Sequence, residues 1–259
     1  MNFRLDQYAH LNSHLHQWYP QYKIIGLGSL IAGFATVEDW RMVPGMLAIT
    51  AILYHCSRLP LSFLLTRLKY PSLFLLLIVA FLPFVAGDTL VWQWHFISIK
   101  QEGCLSLFLI STRFFAITIT GLILLGTTPF LTLIKSVRSL GLSVILTDML
   151  LLSYRYLFEI GSELEMMKKA SELRGFQPQK FSVRNLGIFA AVLGSLLIRS
   201  YEQSERVYLA MKLRGYGYQF AHPHKFNQPS VITERDRIYL MVFLGMAGGL
   251  ILAEVLVFN

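Results

Sequence analysis

The sequence predicts an all-α, polytopic membrane protein with about five transmembrane helices and two long cytoplasmic helices that end in Arg-Gly. Three observations predict this class. Hydrophobic residues make up 54% of the 259 residues and charged residues only 15%, whereas a typical soluble domain carries about 25% charge. Five apolar stretches approach the length that crosses a bilayer. One helix ending occurs twice, forty residues apart.

The five apolar stretches are the predicted spans. A transmembrane helix needs about 20 apolar residues and tolerates about 17 to 25. The first two stretches are short and flank an acidic turn, so we expect a tight helical hairpin there. The stretches are residues 24–37, 42–57, 71–87, 104–128 and 238–258.

Basic residues predict the orientation. The segment with Arg58, Arg67 and Lys69 contains no acid, and residues 129–237 hold 15 Lys and Arg against 9 Asp and Glu. Because cytoplasmic loops are rich in Lys and Arg, we expect these segments and the N-terminus inside the cell. The predicted domains are residues 1–128 (N-terminal segment and transmembrane helices 1–4), 129–237 (cytoplasmic or interfacial helices) and 238–259 (final span). The polar first 23 residues predict no signal peptide.

Two long helices are predicted inside the basic insertion, over residues 143–174 and 182–214. Each is apolar in its first half and charged in its second half, and each would reach roughly 45 Å. The apolar halves contain about 11 to 16 apolar residues, which favours interfacial or buried helices, although two extra spans remain an alternative. Residues 89–99 alternate weakly and predict an extended loop or a small hairpin.

The repeated helix ending is the main candidate functional feature. Glycine readily adopts the left-handed conformation that follows a helix, and a cation suits the negative end of the helix dipole. A single copy would be an ordinary helix cap, but two copies favour a pair of docking points for a two-fold partner. The first copy contains Glu165, Leu173, Arg174, Gly175 and Phe176, and the second contains Glu205, Leu213, Arg214, Gly215 and Tyr216.

Together with other segments, this ending gives the chain a family resemblance. The paired endings, the opening segment 5–13 (LDQYAHLNS) with Leu15-His16 and Pro20, segment 154–158 (YRYLF) and Ala210-Met211 resemble the CbiQ family. This family supplies the transmembrane T component of energy-coupling factor (ECF) transporters for cobalt or nickel. The family usually has Ala-Arg-Gly, whereas Leu173 and Leu213 occupy the Ala position here.

The resemblance implies a role and a set of partners. The two long helices would be coupling helices that cross, with Arg174 and Arg214 each docked in one of two cytoplasmic ATPase subunits (CbiO-like). These subunits would bind ATP and Mg²⁺, and this chain would bind no cofactor. A membrane substrate-binding subunit (CbiM-like), with a small accessory membrane subunit (CbiN-like), would carry Co²⁺ or Ni²⁺. The location would be the inner membrane of a prokaryote.

Three further charged residues are candidates for structural or functional roles. Arg113 lies inside the fourth predicted span, where a charge is costly and is either functional or bonded to a neighbouring helix. We expect Asp148, at the start of the first long helix, to be a structural partner rather than a proton relay. Arg155 is expected to anchor that helix by hydrogen bonding within the bundle.

The histidines do not predict a metal site. Imidazole binds cobalt and nickel well, and the candidates are His10, His14, His16, His222 and His224. Both groups lie on the predicted cytoplasmic side, and no cysteine or carboxylate completes either set.

Other function classes are less compatible with the sequence. No Gly-x4-Gly-Lys-[Ser/Thr] or His-Glu-x-x-His motif is present, which argues against an ATPase or a metalloprotease of these types. The basic insertion mixes its cations with acids, so it favours protein partners over nucleic acid. The rival is a self-contained secondary transporter or channel, which predicts paired midplane charges and inverted repeats.

Overall fold

The computed structural model describes residues 13–85, 90–94, 97–177, 182–217 and 234–258. Two units are distinguished by their internal contacts: a smaller one containing 143–177 and 182–217, and a larger one containing the other described residues. The elements are α1 (His14–Gln17), α2 (Pro20–Thr36), a 3₁₀ turn (Trp40–Met42), α3 (Val43–Ser57), α4 (Leu61–Val85), β1 (Leu90–Trp94), β2 (Ile97–Lys100), α5 (Gln101–Thr127), α6 (Phe130–Ser139), α7 (Val144–Leu173), α8 (Val183–Leu213) and α9 (Glu234–Phe258).

Helix α2 forms the centre of the larger unit. It packs against α5, α6 and α9, and Leu27, Leu30 and Phe34 on it are fully buried. A Cβ atom placed on Gly33 would lie 3.4 Å from the backbone of Ala247 in α9. Small residues at such a contact let two membrane helices approach closely, so the sequence of α2 sets how near α9 comes.

Polar contacts fasten the start of α2. The Lys23 side chain is 1% exposed, and its ammonium donates to the Thr127 carbonyl at 3.3 Å and to the Thr128 hydroxyl at 3.1 Å. These acceptors lie where α5 ends, and a cation there offsets the negative end of the helix dipole. The Tyr19 backbone N–H donates to the Asp236 carboxylate at 3.4 Å, which links α2 to the start of α9.

The class predicted from sequence, an all-α membrane protein, is confirmed. Among the described helices, three are long and apolar enough to cross a membrane: Leu107–Thr127, Val183–Leu213 and Glu234–Leu256. The second of these is α8, so the composition of this helix favours the alternative in which it is an extra span. Helices α2 and α3 have 17 and 15 residues, so the number of spans stays a prediction.

Two predicted boundaries differ in the structure. Helix α4 begins at Leu61 rather than near residue 71, so Arg67 and Lys69 are helical residues and not part of a loop. Helix α6 belongs to the larger unit, because Ile134 is buried there and Ser139 accepts a hydrogen bond from Gln21 of α2. The smaller unit therefore begins at Ser143, later than the expected start of the insertion at residue 129. The predicted hairpin is present as the antiparallel pair β1–β2.

Candidate functional site

Helices α7 and α8 end in the same backbone geometry. Arg174 ends α7 at φ −88° and ψ 11°, and Arg214 ends α8 at φ −86° and ψ 9°. The glycines that follow have φ of +89° (Gly175) and +84° (Gly215). The two endings are therefore superimposable turns that the sequence repeat encodes locally.

Each turn is a Schellman motif. In the first, the Phe176 N–H donates to the Ser171 carbonyl at 3.0 Å, and the Gly175 N–H donates to the Glu172 carbonyl at 3.0 Å. These are the 6→1 and 5→2 hydrogen bonds that satisfy the last carbonyls of a helix. The second has the same bonds, from Tyr216 to Met211 at 2.9 Å and from Gly215 to Lys212 at 3.0 Å.

Conformation, rather than lack of space, requires glycine in both turns. A Cβ atom at Gly175 or Gly215 would meet nothing within 4 Å, so an added methyl group would not clash with a neighbouring residue. The positive φ is the constraint, because a side chain makes that conformation unfavourable. The glycines thus fix the direction in which each chain leaves its helix.

The residues before the glycines are exposed on the protein surface. Leu173 and Leu213 are each 90% exposed, and Arg174 and Arg214 are exposed beside them. Within the part of the chain that the structure describes, neither arginine side chain makes a hydrogen bond or an ion pair. We call residues 173–175 the α7 tip and residues 213–215 the α8 tip. Each tip presents an apolar side chain and a guanidinium for contact with another molecule.

The two tips lie at opposite ends of an antiparallel helix pair. Three side-chain contacts join α7 to α8, and as the residue number rises on α7 it falls on α8. The interval from Asp148, near the α8 tip, to Arg174 corresponds to about 40 Å at about 1.5 Å per residue. The contacts are Tyr216 to Asp148 at 3.4 Å, Gln203 to Glu159 at 2.8 Å and Ser195 to Met167 at 3.8 Å.

Sequence comparison agrees with this pattern. The CbiQ family, described as cobalt transport protein, matches residues 12–224, a range that includes both tips. The chain belongs to the CbiQ family. The resemblance inferred from the repeated endings and the N-terminal segment is thereby confirmed.

Three relatives of this CbiQ chain are named energy-coupling factor transporter transmembrane protein EcfT. The protein of Ruminiclostridium cellulolyticum is 26% identical over 82% of this chain and 83% of its own length. That of Brevibacillus brevis is 28% identical over 83% and 85%. That of Macrococcus caseolyticus is 26% identical over 93% and 97%.

Other predicted residues of the smaller unit lie along the helix pair. Glu205 accepts a hydrogen bond from Tyr201 of its own helix at 3.1 Å, and Glu165 is half-buried on α7. Asp148 accepts from Tyr216, which joins the α8 tip to the start of α7. Burial, together with this carboxylate, raises the pKa of the Tyr216 phenol. The Arg155 guanidinium lies 5.8 Å from the Tyr156 ring centre, and its predicted anchoring role stays a prediction.

The third charged candidate, Arg113, belongs to the larger unit. Its guanidinium donates to the Val37 carbonyl at the end of α2. The neighbouring Glu38 N–H donates to the Glu254 carboxylate of α9 at 2.8 Å, and Glu254 is 8% exposed. A half-buried arginine and a buried glutamate therefore contact the end of α2, and the structural or functional role of Arg113 stays a prediction.

The sequence did not predict a structural role for Lys23, nor the contact between the Glu38 N–H and the Glu254 carboxylate. Lys23 directly precedes an apolar stretch, a position where lysine is common at the membrane surface. Only the fold shows that Lys23 is buried and that its ammonium binds acceptors at the end of α5.

The described residues contain no group of three or more His, Cys, Asp or Glu that could hold a metal ion. His16 shares a hydrogen bond of 2.6 Å between its Nδ1 atom and the Ser13 hydroxyl. His10, His222 and His224 lie outside the described residues, as does the side chain of His14.

Proposed function

We propose that this chain is the transmembrane coupling component of an ECF importer. It would transmit ATP-driven motion from two cytoplasmic ATPase subunits to a metal-binding membrane subunit. The observation that supports this most is the pair of matched, exposed tips at opposite ends of one helix pair. Membership of the CbiQ family and the names of the relatives point to the same role.

The separation of the tips favours two ATPase subunits over one. A standard protein interface covers about 800 Å² on each partner, a patch roughly 30 Å across. Tips about 40 Å apart exceed one such patch, so each would dock in its own subunit. Identical tip geometry then matches two identical or homologous subunits, because equal grooves accept equal tips.

The antiparallel arrangement also bears on how the pair lies in the membrane. If α7 and α8 crossed the bilayer, one tip would emerge on each side. Both tips can reach cytoplasmic partners only if the pair lies along the membrane surface. This geometry favours coupling helices over extra spans, although α8 is apolar enough in composition to cross.

The proposed mechanism uses the two helices as levers. They are continuous over 30 and 31 residues and contain no proline, so a displacement of a tip moves the whole helix. When the ATPase subunits close on ATP, they would draw the α7 and α8 tips towards each other. The exposed apolar residues of both helices, which include Leu150 and Leu193, would pass this motion to the substrate-binding subunit.

The cargo and the cofactors belong to the partners in this proposal. ATP and Mg²⁺ would bind the CbiO-like ATPase subunits, and this chain would act without a cofactor or enzymatic activity. A CbiM-like subunit, assisted by a CbiN-like one, would carry Co²⁺, in line with the family description, and Ni²⁺ is the alternative cargo. The location would be the inner membrane of a prokaryote, with the N-terminus and both tips in the cytoplasm.

Reconstitution tests this function against the rival of a self-contained transporter. Proteoliposomes would contain this chain with the ATPase and substrate-binding subunits, and uptake of radioactive cobalt and nickel would be measured with ATP inside. We expect cobalt uptake that stops when the ATPase subunits are left out. Uptake by this chain alone, driven by an ion gradient, would contradict the proposal, whereas ATP-driven uptake of nickel alone would correct only the cargo.

A further inference from the structure

An apolar cavity opens on the surface of the larger unit. It has a volume of about 300 Å³ and lies among α1, α3 and α9. Two of its lining residues, Ile52 and Val242, are 61% and 49% exposed, so the cavity is accessible from outside. Trp18, Leu53, Cys56 and Phe243 also line it.

The lining selects a hydrocarbon ligand. It consists almost entirely of aliphatic and aromatic carbon, with few polar atoms to orient a polar molecule or hold water, and apolar cavities bind apolar ligands rather than water. The cavity therefore suits a hydrocarbon chain, such as an acyl chain of a lipid.

Two exposed arginines are close in sequence to residues that line the cavity. Arg58 follows α3 two residues after Cys56, and Arg235 lies in the first turn of α9, shortly before the lining residue Tyr239. Neither makes an ion pair or a side-chain hydrogen bond within the described residues. The nearby acids are engaged, since Glu234 pairs with Arg237 at 3.8 Å and Asp236 accepts from Tyr19. Two cations thus remain for an anionic group next to an apolar cavity.

The backbone at Arg58 is unusual. With φ of 52° and ψ of 26°, Arg58 is left-handed, and it is the one residue other than glycine with positive φ in the part of the chain described here. Glycine would take this conformation more easily, and Arg58 adopts it as the residue that ends α3, with its N–H donating to the His55 carbonyl.

We propose that this cavity binds one anionic phospholipid from the membrane leaflet on its side. An acyl chain would fill the cavity, and the phosphate would bind Arg58 and Arg235. Basic pockets between membrane helices on the cytoplasmic side bind anionic headgroups in this way. The predicted topology places Arg58 and the start of α9 on that side.

Cys56 provides a natural probe of the cavity. The chain has two cysteines, so a Cys104→Ser background leaves Cys56 as the sole thiol. The purified full chain in detergent would be titrated with phosphatidylglycerol or with phosphatidylcholine of the same acyl chains. The rate of alkylation of Cys56 by N-ethylmaleimide reports occupancy. We expect phosphatidylglycerol to protect Cys56 at a concentration about 25-fold lower than phosphatidylcholine, since each of the two arginines contributes about fivefold in affinity.

Two sets of variants distinguish binding of the lipid headgroup from binding of the acyl chain. Arg58→Ala with Arg235→Ala should abolish the preference for phosphatidylglycerol, whereas Arg67→Ala, an exposed arginine of α4, should keep it. Val242→Trp would fill the cavity, and native mass spectrometry should then find one bound lipid fewer. Leu252→Trp on the same helix, which does not line the cavity, is the matched control.

Three outcomes would overturn the inference. They are equal protection by both lipids, no protection by either lipid, and protection that requires a partner membrane subunit. Mass spectrometry of the unsubstituted chain keeps the test decisive if a variant fails to fold, because at least one phosphatidylglycerol must be retained in preference to phosphatidylcholine.

Discussion

The α7 tip and the α8 tip have the same backbone conformation, but the aromatic residues that follow them in sequence make different contacts. Both glycines have nearly the same positive φ, and both leucines are equally exposed. The α8 tip is followed by Tyr216, whose hydroxyl donates to Asp148 at the start of α7. The α7 tip is followed by Phe176, which has no hydroxyl. The motif is therefore repeated where it would meet a partner, and both copies are linked to the neighbouring helix by different contacts: the Tyr216 side chain bonds Asp148, whereas the Gln177 carbonyl, one residue after Phe176, accepts from the Asn185 side chain of α8 at 2.9 Å.

The two tips would therefore offer the same docking surface but transmit force through different contacts. A force on the α8 tip acts on its own helix and, through the Tyr216–Asp148 hydrogen bond, on the start of α7. A force on the α7 tip acts on α7 and, through the backbone carbonyl of Gln177, on Asn185 at the start of α8. If both tips dock in like subunits, they should bind with similar affinity but differ in how firmly each is held.

The largest effect is expected from reversing both charges that the tips present. Arg174→Glu with Arg214→Glu should weaken binding of the ATPase subunits on the order of a thousandfold, because an interfacial arginine commonly contributes about 2 kcal/mol or more. Each single substitution should give a similar, smaller loss. Co-purification and quantitative binding of the ATPase subunits would measure this.

The matched control is Arg199→Glu, an exposed arginine in the middle of α8, which should leave binding unchanged. Equal binding by the double variant and the unsubstituted chain would show that the tips do not dock. A loss confined to one single variant would show that the tips are not equivalent.

A smaller effect is expected from the two tip glycines. Gly175→Ala or Gly215→Ala should destabilise its turn by about 1–2 kcal/mol, because alanine must adopt a positive φ there. Binding of the ATPase subunits should weaken by about tenfold, and less at Gly215 if the Tyr216 tether keeps that turn in place.

Gly161→Ala is the control for the glycine substitutions. Gly161 lies inside α7 with nothing within 4 Å of an added Cβ, so this change should stabilise the helix by about 0.5–1 kcal/mol. Thermal unfolding of the purified chain would measure it. Tip variants that bind the ATPase subunits as well as the Gly161→Ala chain would contradict the role of the turn geometry.

The smallest effect concerns the tether itself. Asp148→Asn should lower the pKa of Tyr216 towards its ordinary value of 10.0, because the carboxylate and its hydrogen bond add to the effect of burial. The folded-state pKa is raised, so Tyr216 favours the folded state below pH 10 and this contribution is lost as pH rises through the raised pKa. Tyrosinate absorbance, with Tyr216→Phe as the blank, would measure the shift. An unchanged titration would mean that Asp148 does not interact with the phenol in solution.

Local chemistry made the tips predictable from sequence. Glycine after a charged helix end defines the turn by itself, so Gly175 and Gly215 could be placed without any tertiary contact. The bounds of α7 and α8 followed in the same way, since proline is absent from both and glycine follows each. The weak alternation in residues 89–99 predicted an extended loop or a small hairpin, and the structure has the hairpin β1–β2.

Contacts between distant segments could not be predicted. The pairing of Asp148 with Tyr216 depends on the antiparallel order of α7 and α8, for which the charge pattern offers no signal. The position of Lys23 before an apolar stretch is typical of a membrane-surface lysine, and its burial depends on acceptors at the end of α5, about 100 residues away. The start of α4 at Leu61 was missed because Arg67 and Lys69 looked like loop cations, whereas their long side chains extend from a helix.

Site-specific photo-crosslinking at the tips tests the central claim most directly. A photoreactive amino acid at position 173 or 213 replaces a leucine that is 90% exposed, so the free chain should fold as before. With both positions labelled in the assembled complex, we expect adducts that join one copy of this chain to two ATPase subunits. Adducts with the chain itself alone, or with a single ATPase subunit from both positions, would contradict the account.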